Sequence, residues 1–194
     1  LATTVYELYR GDTGLATTAI TACNEAQGHE AELVQQLTQQ YPGEPSVVVT
    51  LLLNRLTLQP GDAVYLDPGN LHAYLRGFGV EIMGASDNVI RGGLTTKFVD
   101  VDELLRVLRI EPLADPVVRP VPGGSGWFTY ATPGAPFTFR RLELDGTATI
   151  HARRPTLLLC TGGDATALRQ GETVYLAAGS EVTVSGRARL FVAD

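Results

Sequence analysis

Three texture changes organise the chain. Across residues 30–41 the apolar positions Ala31, Val34, Leu37 and Tyr41 recur at helical spacing with Gln and Glu between them, which predicts an amphipathic helix. Pro42-Gly43 ends it, and Pro45 blocks its resumption. Residues 1–10 and 15–26 carry weaker versions of the same period. From Val47 the pattern shortens. Residues 47–53 form an apolar run that fits either a short helix or a buried strand. Residues 56–59, 63–66, 72–75 and 80–83 then read as short strands, broken at Pro60-Gly61, Pro68-Gly69 and Gly77 to Gly79. Helical spacing returns at 101–110, with Asp100 as N-cap and Glu103 three residues on as its capping-box partner. The Pro-rich stretch 112–126 reads as a long connection. Beyond Trp127, a residue expected to plug a barrel, strands are predicted at 137–144, 147–151, 156–160, 165–169, 173–176, 181–184 and 188–192.

The sum is a mainly β chain with an N-terminal helical segment, and strands this short, joined by tight turns, suggest a β-sandwich or barrel. The expected divisions are a helical segment over 1–46, part of one barrel plus a following helix over 47–111, and a second, degenerate barrel over 112–194. One internal repeat supports the pair of barrels. GDAVYLDPGNLH begins at Gly61 and GETVYLAAGSEV begins at Gly171, so His72 of the first copy corresponds to Val182 of the second.

Composition excludes some functions. Hydrophobic residues make up 44% and charged residues 19%, ordinary for a soluble domain. A formal net charge of −6 argues against a nucleic-acid partner. No apolar run is long enough to span a bilayer. Cys23 and Cys160 sit in dissimilar contexts and read as buried thiols of a reducing, cytoplasmic compartment. Lys97 is the only lysine.

Between Gly61 and Lys97 a His, a carboxylate and two cations are gathered: His72, Glu81, Arg91 and Lys97. Tyr74 alternates with His72, which predicts a shared face. Asp87 and Asn88 are read as shaping the turn that presents Arg91. Imidazole and carboxylate are zinc-ligand types, and fixed cations suit an anionic, hydroxyl-rich substrate.

The Gly, short strand, Pro-Gly turn and following His resemble the second conserved motif of the cupin barrels, although Asp67 takes the usual proline position and Pro68 falls one residue late. The run LHAYLRGFGVEIMGASDNVIRGGLTTK, above all residues 86–97, resembles the signature of the type I phosphomannose isomerases. That resemblance implies paired cupin-like β-barrels of the jelly-roll kind with an N-terminal helical segment, a zinc ion, and interconversion of mannose 6-phosphate and fructose 6-phosphate by a cytoplasmic enzyme that is a monomer at full length; the 47–111 barrel would be the catalytic one. By the same resemblance His72 is a metal ligand. Arg91, Glu81 and Lys97 are catalytic, and Tyr74 and Lys97 bind the sugar phosphate. The family's other ligands, a Gln-x-His pair and a Glu, belong to earlier strands of the same barrel. No Gln-x-His is read in this chain, so it is expected to be a C-terminal portion, inactive by itself and without tight zinc binding. The alternative is a non-catalytic cupin-like protein that binds sugars or regulators.

Overall fold

The structure is a computed structural model and describes residues 1–86 and 88–194. It divides into two compact units. One comprises Leu1–Thr57 and Leu66–Asp115, the other Leu58–Tyr65 and Pro116–Asp194.

The first unit is a helical layer that carries long loops. Its helices are α1 (Ala2–Tyr9), α2 (Thr13–Glu25), α3 (His29–Gln40), α4 (Ser46–Val49) and α5 (Val101–Val107). Helices α3 and α5 bury the faces their periods predicted. Val5, Leu8 and Tyr9 of α1 pack with Ala16 of α2 and Leu104 and Leu105 of α5, while Ala31, Val34 and Leu37 of α3 pack with Cys23. The run at 47–53 is helical, because Val48 and Val49 enter the first cluster while Val47 enters the second. A helix splays consecutive valines toward two cores, whereas a strand would send Val47 and Val49 to one face. Asp12 caps α2 by accepting from the Leu15 N–H at 2.9 Å, and Asp100 caps α5 by accepting from the Glu103 N–H at 3.0 Å. The expected return bond from Glu103 is not made; its carboxylate accepts instead from Arg106 Nε, 2.6 Å away.

The strands expected at 56–59, 72–75 and 80–83 are irregular in the structure. A strand exists only through its partner's hydrogen bonds, and these segments make no ladder with any described residue. Alternating pattern alone therefore overstated the β content here. Only β1 (Ala63–Val64) forms, pairing antiparallel with β2 (Val117–Val118) in the second unit.

The rest of that unit is one antiparallel sheet. It contains β3 (Val121–Gly124), β4 (Trp127–Tyr130), β5 (Phe139–His151), β6 (Thr156–Ala165), β7 (Leu168–Arg169), β8 (Thr173–Leu176) and β9 (Glu181–Ala193). The order is β3-β4-β5-β9-β6-β7, with β8 also on β6. The stretch read as a connection thus holds β2 and β3. Strands expected to break at glycine run through it: Gly146 and Gly186 face each other in the β5–β9 register with φ of 112° and 145°. A Cβ on Gly186 would strike the Asp164 carbonyl of β6, so glycine is needed for close approach and bending. The core lies between the inward faces of these bent strands and includes Leu142, Leu158, Cys160, Leu168, Val184 and Leu190. Trp127 packs against that core, with the Arg140 guanidinium 5.0 Å above its ring.

The repeat is visible in the backbone. Gly61 and Gly171 have φ of 96° and 89°, and Gly69 and Gly179 have φ of 89° and 84°. Asp62 accepts from the Gln59 N–H at 3.0 Å, as Glu172 accepts from the Arg169 N–H at 2.8 Å. Asn70 Nδ2 donates to the Asp67 carbonyl at 2.9 Å, as Ser180 Oγ donates to the Ala177 carbonyl at 2.6 Å. Two sequences that share few side chains thus close the same pair of turns.

Candidate metal and sugar-phosphate site

The site is built on two turns of the first unit. The first is Asp67-Pro68-Gly69-Asn70, where the Asn70 N–H and side-chain amide both donate to the Asp67 carbonyl. The chain just beyond α5 holds this turn in place. The Arg109 N–H donates to the Gly69 carbonyl at 3.0 Å, and the Arg109 guanidinium lies 3.7 Å from the Asp67 carboxylate.

His72 follows directly. Its Nδ1 lies 3.1 Å from the Asn70 carbonyl. A carbonyl only accepts, so Nδ1 carries the proton, and whenever the ring is neutral its lone pair lies on Nε2. This is the tautomer that an Nε2 metal ligand requires, and the backbone carbonyl fixes the orientation of its ring. The His72 and Tyr74 rings meet edge to face at a centroid distance of 5.9 Å, so the two residues share a face although the segment is not a strand. Tyr74 Oη donates to Glu81 Oε1 at 2.9 Å. Burial, then the hydrogen bond to Glu81 and its charge, raise the Tyr74 pKa, which keeps the hydroxyl a donor. Glu81 therefore has the Tyr74 hydroxyl as its partner.

The second turn carries Arg91, Gly92, Gly93 and, further on, Lys97. The Leu71 side chain occupies the place that a Cβ on Gly92 would take. The residue before His72 thus packs on the residue after Arg91, and the two turns lie side by side. Among the described residues, the Arg91 and Lys97 side chains are exposed and make no ion pair with His72, Tyr74 or Glu81. The structure brings together His72, Tyr74 and Glu81 by direct contact, and Arg91 through its neighbour. It does not bond Lys97 to them. The expected role of Asp87 lies outside the described residues.

Tyr9 was not legible as part of this region. It ends α1, is buried, and donates its hydroxyl to the Gly92 carbonyl at 2.5 Å. Burial first, and the Glu44 charge second, hold its pKa well above the ordinary value near 10. The neutral form is favoured in the folded state, so this stabilisation is complete below about pH 10 and is lost as pH rises through the raised folded value. Alkaline melting curves should show the first unit weakening above about pH 10, and Tyr9→Phe should flatten that part of the profile. An unchanged profile would remove Tyr9 as the titrating group.

Contrary to the expectation that the chain holds no Gln-x-His, one occurs, Gln27-Gly28-His29, but it leads into α3, where His29 Nδ1 lies 3.6 Å from Glu32 on an exposed surface. Among the described residues no cluster of three or more His, Cys, Asp or Glu is placed to hold a metal. His72 fits zinc as one ligand, but the three or four that zinc needs are not assembled from these residues.

Comparison with known proteins identifies what these turns belong to. No family model matches the chain. It is 35% identical to the mannose-6-phosphate isomerase of Escherichia coli over 181 residues, covering 87% of this chain and 46% of that protein. It is 33% identical to that of Bos taurus over 183 residues, with 85% and 43% covered. The chain belongs to the mannose-6-phosphate isomerase family. It spans about half the length of the curated relatives it matches. The fold agrees. A crystal structure of an alanine variant of phosphomannose isomerase from Salmonella typhimurium superposes with a TM-score of 0.83 at 28% identity, covering 99% of this chain and 53% of that one. Another structure of the Salmonella protein, bound to its substrate fructose 6-phosphate and to zinc, superposes with a TM-score of 0.77. The mainly β, cupin-type architecture with added helices is therefore the family's own.

Proposed function

We propose that this chain supplies one wall of the active site of a zinc-dependent mannose-6-phosphate isomerase. The observation that carries this reading is the packing of Leu71 on Gly92, which sets the His72–Tyr74–Glu81 group beside the turn of Arg91 and Lys97. The Salmonella relatives add support. Their solved variants replace a histidine, a glutamate and an arginine by alanine at the same intervals along the chain as His72, Glu81 and Arg91.

Aldose–ketose interconversion moves a proton between C1 and C2 of the sugar, and negative charge develops on the oxygens of those carbons. Zinc, when bound, supplies a Lewis acid for that charge. His72 would be one of its ligands. Arg91, an exposed guanidinium on a Gly-rich turn, stabilises the developing oxyanion. Lys97 takes the phosphate, and Tyr74 orients Glu81 toward the hydroxyls whose protons move. The enzyme acts as a monomer in the cytoplasm. The free, buried thiols of Cys23 and Cys160 suit a reducing compartment, and among the described residues no helix is long and apolar enough to cross a membrane.

Titration with fructose 6-phosphate, followed by amide and guanidinium NMR shifts, tests the reading. Shifts are expected at His72, Tyr74, Arg91 and Lys97, and Arg91→Ala should weaken binding by roughly tenfold, the worth of a charge-assisted hydrogen bond. Shifts confined to other surfaces would overturn the assignment. The dialysed chain should retain far less than one equivalent of zinc, since a lone imidazole is a poor site.

A further inference from the structure

The turn that bears Arg91 and Lys97 is gripped from beneath by two helices. Tyr9, at the end of α1, bonds the Gly92 carbonyl. Ser46, at the start of α4 and only 3% exposed, accepts from the Leu94 N–H at 3.2 Å. The Ser46 N–H is itself held by Glu44 Oε1 at 3.2 Å, so the hydroxyl sits on a fixed base. Gly93 lies so close over this serine that a Cβ there would overlap Ser46 Oγ and Cβ. The backbone between the two contacts is unusual: φ is 114° at Gly93 and 49° at Leu94. A leucine in the left-handed region persists only where its surroundings over-determine it. Here the serine hydroxyl satisfies the amide that this conformation turns inward.

We propose that Ser46 and Tyr9 are positioning residues, which lock the Gly92-Gly93-Leu94 backbone and thereby aim the Arg91 and Lys97 cations at the sugar phosphate. This rests on the sugar-phosphate reading above. The two cations have no side-chain partner among the described residues, so the path of the backbone sets where they reach. Pre-ordering that path removes a cost that substrate binding would otherwise bear.

The test uses the whole chain with Ser46→Ala and Tyr9→Phe, neither of which removes a group that touches substrate. Amide hydrogen exchange at Leu94 is compared with exchange at Val34, in the core of α3, and fructose 6-phosphate affinity is read from the Arg91 Nε–Hε resonance. Ser46→Ala should speed Leu94 exchange by roughly 3- to 10-fold, the range a single hydrogen bond commands, leave Val34 unchanged and weaken binding by a similar factor. Tyr9→Phe should act in the same direction. Unaltered Leu94 exchange overturns the clamp. Equal acceleration at Val34 overturns it too, by showing a prop of the whole unit. Faster Leu94 exchange with unchanged affinity overturns the link to ligand. If the unaltered chain binds no fructose 6-phosphate, the sugar-phosphate reading falls, and Leu94 exchange still decides whether the clamp exists.

Discussion

His72→Ala should remove zinc and isomerase activity together from the gene product that carries this sequence. The reasoning runs from the Asn70 carbonyl upward. That carbonyl pins the Nδ1 proton and leaves Nε2 as the outward lone pair. His72 is the only histidine between Asp67 and Lys97. Losing an outer partner of a metal ligand typically costs about 10–100-fold in affinity or activity, and losing the ligand itself should exceed that. Metal content of the purified variant, measured beside a coupled isomerase assay, checks both parts. A variant that kept a full zinc complement and full turnover would take His72 out of the metal site. Loss of activity with zinc retained would recast it as a substrate contact.

Leu190→Ala should destabilise the second unit by roughly 3–5 kcal/mol. Leu190 is fully buried in β9, a strand paired on both sides, with Leu142 of β5 and Cys160 of β6 as its register partners. Truncation there leaves a cavity between strands that cannot close up without breaking two ladders. A loss of this size is a large part of the ~5–15 kcal/mol that holds a typical domain together. Trp127, the chain's single tryptophan, lies against the same core and reports the transition by fluorescence in denaturant. Tyr175→Ala, at a 62% exposed position on β8, is the control and should shift the midpoint little. Comparable losses at the two positions would mean the core is not where the burial places it.

Much of this was legible from residue order. The helices α1, α2, α3 and α5 follow from the spacing of their apolar positions, and Asp100 was readable as a cap. Strand β8 falls at 173–176, where alternation and flanking glycines placed it. The Gly61 and Gly171 repeat was readable as a string, and its turns prove to match bond for bond. His72 and Tyr74 were expected on one face, and their rings touch. These features depend on neighbours within a few residues, and such neighbours are always present in the string.

Other features depended on distant partners. Residues 72–75 and 80–83 alternate like strands and pair with no described residue, while β5 and β9 continue through glycines that read as stops. The clamp under the Arg91 turn joins residues 48 and 83 positions apart, and nothing near Ser46 or Tyr9 in the sequence marks them for it. The amino-acid order by itself settled which chemical groups are available and which short segments coil or turn, because side-chain type and local dihedral preference travel with each residue. Only the tertiary structure decided which strands pair, how the Leu94 backbone is held and which groups face one another, because hydrogen-bond ladders and buried contacts require partners that chain order does not name.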